Sequence, residues 1–378
     1  MTRILDILAP TRYPWRFNSP RKSRHRISIR NFLPLNKICS KIEGITVFNP
    51  LPPKRFDLIH AFNRIPIGKA PYVIGFESHL PRGFGIEQTS FFRAMSKSLA
   101  SDRCRGIVAI SHYAYRQCLN QHKNFPWYDD IKTKLSVRYP NIHIPEKEDA
   151  LAQDNINTIR ILFVGNHFAR KGGLVALRLA QLAHERNLPI TIDIISSLQV
   201  GAMSWIDPLT KDYFTPYKQL IETLPNVTHH GALPNAQVIE HIRQSHFLLL
   251  PTFSDTFGFS AIEAMSQYTP VIATSQCAMP EFINNNNGIL LPLEVDECGE
   301  WASIKGQKRN SSSYAAFYDN AVLQLAQKAL EKIENIISNR TTYMQMRLRA
   351  RSTAETLFSS TDANTFWDDY YCQSLNNL

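Results

Sequence analysis

The stretch that decides the fold is FLLLPTFSDTFGFSAIEAMSQYTPVIAT, residues 247–274. Residues 247–250 are apolar with no polar alternation, which is typical of a parallel strand buried on both faces. Pro251 ends the strand, and residues 252–257 have the composition of a turn. From Gly258 onward the spacing of apolar residues predicts a helix up to Thr269-Pro270, and residues 271–274 predict the next strand. The stretch is therefore a strand–turn–helix–strand unit of an α/β sheet.

Two carboxylates mark this unit, Asp255 in the turn and Glu263 in the helix. In an open α/β sheet, ligands bind where a strand ends and a helix begins, because unpaired amides and the helix dipole point there. Each carboxylate also has a structural alternative, as a helix cap or as a solvated helix residue. The segment Phe257-Gly258-Phe259 favours a binding site, since a bare backbone at a helix start lets a ligand approach the amides.

A second turn of the same kind follows residues 159–165, an apolar strand that ends in Gly165. The turn carries Asn166, Arg170 and Lys171, and the apolar spacing predicts a helix over residues 174–186. Helix amides attract an anion and the two cations neutralise it, so the turn is a candidate clamp for a diphosphate.

Length and composition restrict the class of protein. The 378 residues suit two domains, and the hydrophobic fraction of 44% is ordinary for a globular chain. No apolar run approaches the roughly 20 residues that span a bilayer, and the first residues lack a signal-peptide pattern, so we expect a cytoplasmic protein. The six cysteines show no C-x-x-C spacing, which argues against a zinc site or a disulfide framework.

The positive charge is concentrated at the start of the chain. Residues 1–42 hold ten Lys/Arg and one acidic residue, whereas the rest hold 32 basic and 31 acidic residues. Two interpretations of basic residues 12–30 stay open. They form a solvated surface loop, or Arg21, Lys22, Arg24 and Arg26 contact an anionic acceptor or an anionic membrane surface, where each contributes about 1 kcal/mol. Nucleic acid is not expected, because no recognition module accompanies the basic run.

The rest of the chain alternates strand and helix patterns. Strands are predicted at residues 4–8, 56–62, 71–76, 107–111 and 189–196, and long helices at residues 314–337, 343–358 and 361–372. Residues 146–157 are polar and predict a linker. Adjacent His229 and His230 lie on a predicted strand and point to opposite faces, so they cannot easily share a metal ion. We therefore predict structural roles for both and no metal site.

Residues 255–274 resemble the E-x7-E region of retaining glycosyltransferases of family 4, with Asp255 in place of the first glutamate. The turn after residue 165 is similar to the family's G-R-x4-K-G turn: Gly165 and Lys171 fit, and Asn166 stands in place of the arginine, for which Arg170 is a candidate substitute. The resemblance covers residues 155–360 well. It covers the first 150 residues loosely, since the family's glycine-rich loop after the first strand is missing.

The resemblance implies the GT-B fold, two Rossmann-like, doubly wound parallel-sheet α/β domains that face each other across a cleft. Residues 1–150 would form the acceptor-side domain, with a C-terminal helix at residues 361–378 crossing back onto it. Residues 155–360 would bind the nucleotide sugar. The implied reaction is a metal-independent, retaining transfer of a hexosyl group from a UDP- or GDP-sugar to a glycan, a lipid-linked acceptor or another acceptor in polysaccharide synthesis.

The resemblance also assigns roles to individual residues. Glu263 would accept hydrogen bonds from the donor ribose, and Asp255 with the amides of residues 257–259 would hold the sugar. His79, which follows an N-terminal strand, would contact the sugar, and Leu233 would line the base pocket. No cofactor is implied, because the nucleotide sugar is a substrate. The alternatives are a GT-B nucleotide-sugar epimerase or hydrolase, or a non-catalytic protein that binds a nucleotide sugar or an anionic surface.

Overall fold

The computed structural model describes residues 3–11, 13–33, 39, 42–52, 54–146, 157–302 and 306–376. The chain divides into two compact units. Unit 1 comprises residues 1–143 and 357–378, and unit 2 comprises residues 144–356. Residues 147–156, most of the predicted linker, lie outside the described residues.

The strands are β1 (Asp6–Pro10), β2 (Arg26–Arg30), β3 (Ile45–Thr46), β4 (Leu58–Phe62), β5 (Ile65–Pro66), β6 (Tyr72–Phe76), β7 (Cys104–Ala109), β8 (Leu135–Val137), β9 (Ile159–Val164), β10 (Ile190–Ile195), β11 (Val227–His229), β12 (Phe247–Leu250), β13 (Val271–Thr274) and β14 (Gly288–Leu291). The helices are α1 (Tyr13–Phe17), α2 (Ser90–Ala100), α3 (His112–His122), α4 (Tyr128–Lys134), α5 (Gly173–Glu185), α6 (Thr215–Thr223), α7 (Asn235–Gln244), α8 (Phe259–Ser266), α9 (Ser312–Ile337), α10 (Arg340–Phe358) and α11 (Ser360–Asn376).

Each unit is built on a six-stranded sheet whose neighbouring strands all run parallel. The order is β2-β1-β4-β6-β7-β8 in unit 1 and β11-β10-β9-β12-β13-β14 in unit 2. In unit 2 the chain winds outward from β9 to one edge and then from β12 to the other, so the order reverses between β9 and β12. The predicted α/β class with two parallel sheets is confirmed.

Strand β12 is buried on both faces, as its composition predicts. All four residues of β12 are buried, and Phe247 and Leu249 belong to the main core of unit 2. Helix α8 follows the turn after β12, and its Ala261, Ile262 and Met265 are buried. The strand–turn–helix unit therefore fixes the position of residues 251–258 at the carboxyl end of β12.

Helix α11 packs on the sheet of unit 1. Its Trp367 and Tyr371 share a core with residues of β1, β4, β6 and β7. His60 of β4 lies fully buried against them, with its ring centroid 4.3 Å from that of Trp367 and its Nδ1 2.7 Å from the Tyr371 hydroxyl oxygen. Burial in this apolar contact lowers the pKa of His60 to about 3.

The basic segment folds as part of unit 1, where residues 26–30 form edge strand β2. The surface-loop interpretation is therefore wrong for those residues. Arg21 donates to the side chain and carbonyl of Asn141, at 3.1 and 2.9 Å, and Arg24 pairs with Asp369 at 2.8 Å. Two of the four cations assigned to an anionic partner are thus engaged within the unit. Over the described part of the chain, no helix combines the length and apolar character needed to cross a membrane.

Candidate active site

The candidate site lies at the point where the strand order of unit 2 reverses. Strands β9 and β12 are neighbours there, with Phe163 paired to Leu249. The turn of residues 165–172 follows β9, and the turn of residues 251–258 follows β12, so both turns leave the same edge of the sheet. In doubly wound sheets this edge is where ligands bind, because two diverging helices leave a crevice between their N-termini.

An ion pair joins the two turns. Lys171 Nζ lies 2.7 Å from Asp255 Oδ2, with side-chain exposures of 22% and 13%. Burial raises the pKa of Asp255, but the positive charges of Lys171 and Arg170 and a hydrogen bond from Lys171 more than offset this effect and leave the pKa below its ordinary value. The carboxylate is therefore ionised. It does not cap α8, whose N-cap is Gly258.

Arg170 connects the same two turns from within the protein. It is only 7% exposed, and its guanidinium donates to the carbonyl oxygen of Ser254. The guanidinium carbon also lies 4.6 Å from the ring centroid of Trp205, a residue of the segment between β10 and α6. In the reverse direction, the Phe253 amide donates to the Arg170 carbonyl at 2.9 Å. Arg170 thus fixes the turn after β12 as well as placing a charge beside Asp255.

Two glycines allow the turns to come this close. A Cβ on Gly165 would lie 2.6 Å from Cδ of Lys171, so the bare backbone leaves room for the lysine side chain. Gly172 has φ +91°, and a Cβ there would lie 2.3 Å from the carbonyl oxygen of Pro251. Neither position has room for a side chain while the Lys171–Asp255 contact is kept.

The segment Phe257-Gly258-Phe259, predicted to leave its backbone open to a ligand, has a packing role in the structure. Phe257 is fully buried, and its ring stacks on Phe282 with centroids 5.2 Å apart. Gly258 has φ +76°, and a Cβ there would lie 2.3 Å from Cε of Met279. The protein's own packing therefore requires this glycine, whether or not a ligand approaches it. Phe259, half-buried, begins α8.

Glu263 and Leu233 lie elsewhere at the carboxyl ends of the unit 2 strands, after β12 and β11 respectively. Glu263, on α8, accepts a hydrogen bond from Asn235 Nδ2 at 3.1 Å. Asn235 is the first residue of α7, and half-buried Leu233 lies two residues before it, in the turn after β11. The structure thus links Glu263 to the turn that was predicted to line a base pocket.

The remaining predicted residues have other surroundings. Asn166 accepts a hydrogen bond from the Ser197 amide through Oδ1, at 3.2 Å, so it fixes the turn after β9 to the chain beyond β10. His79 lies in unit 1, three residues after β6, where its ring meets that of Phe84 edge-on with centroids 5.4 Å apart. The roles of all the predicted site residues in binding or catalysis stay predictions.

Sequence reasoning missed two groups beside the site. Burial, and then the charges of Arg170 and Lys171, lower the pKa of His167, against an opposing effect of Asp255. Its Nδ1 is buried with no hydrogen-bond partner among the described residues. Asp207 is fully buried near Arg309 and Arg170, and burial raises its pKa to about 6. Both groups lie near Arg170 in space. Only His167 is also close to Arg170 in the sequence, so only His167 had a sequence signal that could have indicated it.

Residues 158–302 match the family described as Glycosyl transferases group 1. They contain both turns of the site and Glu263. The match covers less than half of the chain and lies wholly within unit 2.

Two curated relatives share part of the chain. An uncharacterized 41.2 kDa protein in a cps region of Klebsiella pneumoniae is 24% identical over 241 residues, which cover 56% of this chain and 60% of that protein. A D-inositol 3-phosphate glycosyltransferase of Paenarthrobacter aurescens is 26% identical over 147 residues, which cover 39% of this chain and 34% of that enzyme. The alignments thus span between a third and three fifths of the relatives' length.

Solved structures resemble the whole chain. A glycosyltransferase from Rickettsia africae has a TM-score of 0.61 at 15% identity, with full coverage of both chains. Anabaena HepE, solved in complex with UDP and glucose, has a TM-score of 0.59 at 14% identity and covers 99% of this chain and 100% of its own. The fold is that of GT-B glycosyltransferases.

Proposed function

We propose that this protein is a retaining glycosyltransferase that moves a hexosyl group from a UDP- or GDP-sugar to an acceptor. The observation that carries the proposal is the Lys171–Asp255 ion pair, with Arg170 beside it, where the strand order reverses and within the residues that match the glycosyl transferase family. These three side chains together carry one net positive charge. A nucleotide sugar presents a diphosphate next to a polar ring, and this site offers cations next to a carboxylate.

The cations would act on the leaving diphosphate. When the bond between the anomeric carbon and the diphosphate oxygen breaks, negative charge develops on that oxygen. Lys171 and the positive end of the dipole of α5, a helix of 13 residues, are fixed before the reaction and would stabilise that charge. Arg170 would add its charge from below the surface while it holds the neighbouring turn through Ser254.

The carboxylates would orient the donor. Asp255 is ionised and held by Lys171, so its second oxygen is suited to accept hydrogen bonds from sugar hydroxyls. Glu263 would accept bonds from the ribose hydroxyls, beside the turn that contains Leu233. His79 stays a candidate catalytic residue from the resemblance alone, and His79→Ala tests it: unchanged transfer kinetics would remove it from the reaction.

The acceptor is proposed to be a growing glycan or a lipid-linked sugar of a cell-surface polysaccharide. The relative from a Klebsiella cps region supports this class of acceptor. Cations Lys22 and Arg26, both exposed, are the part of the basic segment best placed to meet an anionic acceptor or lipid surface. Replacing both with alanine should then weaken acceptor use and leave donor hydrolysis unchanged.

Transfer is proposed to be independent of a catalytic metal ion, because Lys171 and Arg170 would neutralise the diphosphate. The test is transfer in EDTA. Full loss of transfer that manganese restores would refute metal independence.

Donor binding is the first test of the proposal. A thermal-shift screen with UDP, GDP, ADP and their sugar conjugates should identify one stabilising base, since a ligand at 100 times its Kd stabilises the native state by about 2.7 kcal/mol. Arg170→Ala should reduce this shift. Glu263→Ala should raise the donor KM or abolish transfer, while Glu222→Ala, which removes an exposed glutamate of α6, should change neither.

Product analysis is the second test. The anomeric coupling constant of the product, read by proton NMR, should match that of the donor, as a retaining transfer requires. An inverted product would refute retention. Free sugar or an epimer with no new glycoside would favour a hydrolase or an epimerase.

A further inference from the structure

Three potential metal ligands meet on the β11 side of the unit 2 sheet, away from the Lys171–Asp255 ion pair. They are Asp193 on β10, His230 directly after β11, and His241 on α7. One ligand atom of each lies within 4.8 Å of the others. His230 Nε2 is 2.7 Å from Asp193 Oδ1, and the rings of His230 and His241 have centroids 4.6 Å apart.

The strand register explains how they converge. Asp193 pairs with Thr228, and side chains alternate along a strand, so His230 lies on the same face as Asp193 and His229 on the other. His229 bonds instead to the carbonyl oxygen of Ser196, at 2.8 Å. The prediction that His229 and His230 point apart is confirmed. The sequence around His230 does not indicate this cluster, because the partners of His230 come from two other elements.

We propose that Asp193, His230 and His241 bind one divalent transition-metal ion, with zinc as the principal candidate. Two imidazoles with one carboxylate suit Zn²⁺, whereas Mg²⁺ and Ca²⁺ prefer a set of oxygen ligands. All three residues are half-buried, so an ion can enter and a water molecule can complete the coordination. The site is distinct from the proposed donor site and does not depend on the proposed function.

The geometry needs only small adjustments. In a tetrahedral site with bonds of about 2.0–2.2 Å, ligand atoms stand roughly 3.3 Å apart. The Asp193–His230 contact must therefore lengthen by about 0.6 Å, and the widest separation must shorten by at most about 1.5 Å. Small rotations of the His241 side chain and the Asp193 carboxylate supply such movements. A simple Asp193–His230 hydrogen bond would give no reason for a second imidazole at this distance.

A bound ion would stabilise the β11 side of the unit 2 sheet. Strand β11 has three residues and, among the described strands, pairs with β10 alone, so it is held weakly by its backbone. The ion would join β10, the end of β11 and α7 at one point. The turn of residues 231–234 lies directly between two of the ligands in sequence, so its conformation would be fixed at both ends.

Zinc binding to the full chain tests the proposal. The protein should be tag-free, stripped of metal and made in a Cys39→Ser background, because the exposed Cys39 thiol would bind zinc by itself. Equilibrium dialysis against zinc sulfate, followed by elemental analysis, should give one tightly bound zinc per chain. Cobalt in place of zinc should give the visible absorption bands of a four-coordinate site.

The variants locate the ion. Asp193→Asn and His241→Ala should each weaken zinc binding by at least about 10-fold and remove the cobalt bands. His184→Ala, which removes an exposed histidine of α5, should bind zinc like the parent. Circular dichroism without metal should show that Asp193→Asn, which keeps the shape of the side chain, stays folded.

The proposal is overturned if the parent binds no stoichiometric zinc at micromolar concentration, or if both ligand variants bind it unchanged. These readouts need no enzyme activity, so they are independent of the glycosyltransferase proposal. If EDTA lowers transfer, recovery with zinc in the parent but not in His241→Ala would assign the effect to this site. If zinc also restored transfer in His241→Ala, the ion would act at another place, and this result would count against the proposed zinc site.

Discussion

The ion pair between Lys171 and Asp255 gives the most direct test of the site. Lys171→Met keeps the length of the side chain and removes its charge, so packing across Gly165 is preserved. Asp255 would then be a largely buried carboxylate that has lost its ion-pair partner and keeps only the more distant charge of Arg170. Removing one partner of a buried pair costs about 3–5 kcal/mol, and an exposed pair contributes about 0–1 kcal/mol. With exposures of 22% and 13% for the two side chains, we expect a loss of about 2–3 kcal/mol in the free energy of unfolding of unit 2.

The reverse change should cost less. In Asp255→Asn the lysine keeps its charge, but it is the more exposed partner and can turn toward water. The double variant Lys171→Met/Asp255→Asn should therefore be more stable than the sum of the two single losses implies, by about 1–3 kcal/mol. Unequal single losses together with a non-additive double variant would show that the two charges interact and are not merely close together.

The pH dependence has a fixed sign. Burial alone raises the pKa of Asp255, and the neighbouring cations lower it below 3.8. A lowered pKa contributes stability that is present above the unfolded pKa and is lost as the pH falls through the folded value. In Lys171→Met the main lowering effect is gone. The gap in stability between the parent and Lys171→Met should thus be widest near neutral pH and should narrow below about pH 4.

Calorimetry of each variant at several pH values measures these quantities through the Tm and the enthalpy of unfolding. The expected loss corresponds to roughly 4–12 °C in the Tm of unit 2. Lys332→Met, which removes an exposed lysine of α9, is the matched control and should leave the Tm unchanged. Strictly additive losses in the double variant, or a gap that does not change with pH, would refute the ion pair as the source of the effect. UDP binding by Lys171→Met should fall as well if the diphosphate uses this lysine.

Three further predictions concern folding and the surroundings of the site. Because burial lowers the pKa of His60 from 6.5 to about 3, the contribution of neutral His60 to the stability of unit 1 should be fully present above pH 6.5 and should fall by about 4 kcal/mol as the pH falls to 3; urea unfolding with no pH dependence between 7 and 4 would contradict this. Gly172→Ala should cost at least about 2 kcal/mol in thermal unfolding, whereas Gly231→Ala, with positive φ but open space, should cost about 1 kcal/mol or less; equal costs would exclude steric contact as the cause. Trp205→Ala should remove about 1 kcal/mol of cation–π stabilisation from Arg170, and an unchanged Tm in calorimetry would argue against that contact.

The sequence predicted the sheets well because their strands are apolar on both faces. Runs such as residues 247–250 need burial on two sides, and helical patterns between them imply parallel pairing. Strands β2, β3, β5 and β8 were not predicted, and β2 shows the limit of this reasoning. Among the described strands, β2 pairs with β1 alone at one side of the sheet, and Arg26 and Ile29 are exposed there. An edge strand needs little apolar composition, so its pattern resembles that of a loop.

The residue types of the site were predictable, but their contacts were not. Lys171 and Asp255 are 84 residues apart, and only the pairing of β9 with β12 brings their turns together. The Asn235–Glu263 contact and the cluster around His230 depend in the same way on the strand order on the β11 side of the unit 2 sheet. Local sequence indicates which turns carry chemistry, while the strand order decides which turns meet.

Asp255 and Gly165 are best understood as one arrangement. The aspartate side chain is one methylene shorter than a glutamate, so its carboxylate stays close to the end of β12, and the partner cation must reach toward it. Lys171 does so by lying across Gly165, where a Cβ would stand 2.6 Å from its Cδ. A larger residue at 165 would force the lysine away from a carboxylate that cannot follow it. The short acid, the bare backbone and the long base therefore depend on one another, and a change at any of the three would alter the charge that this site presents to an anionic ligand.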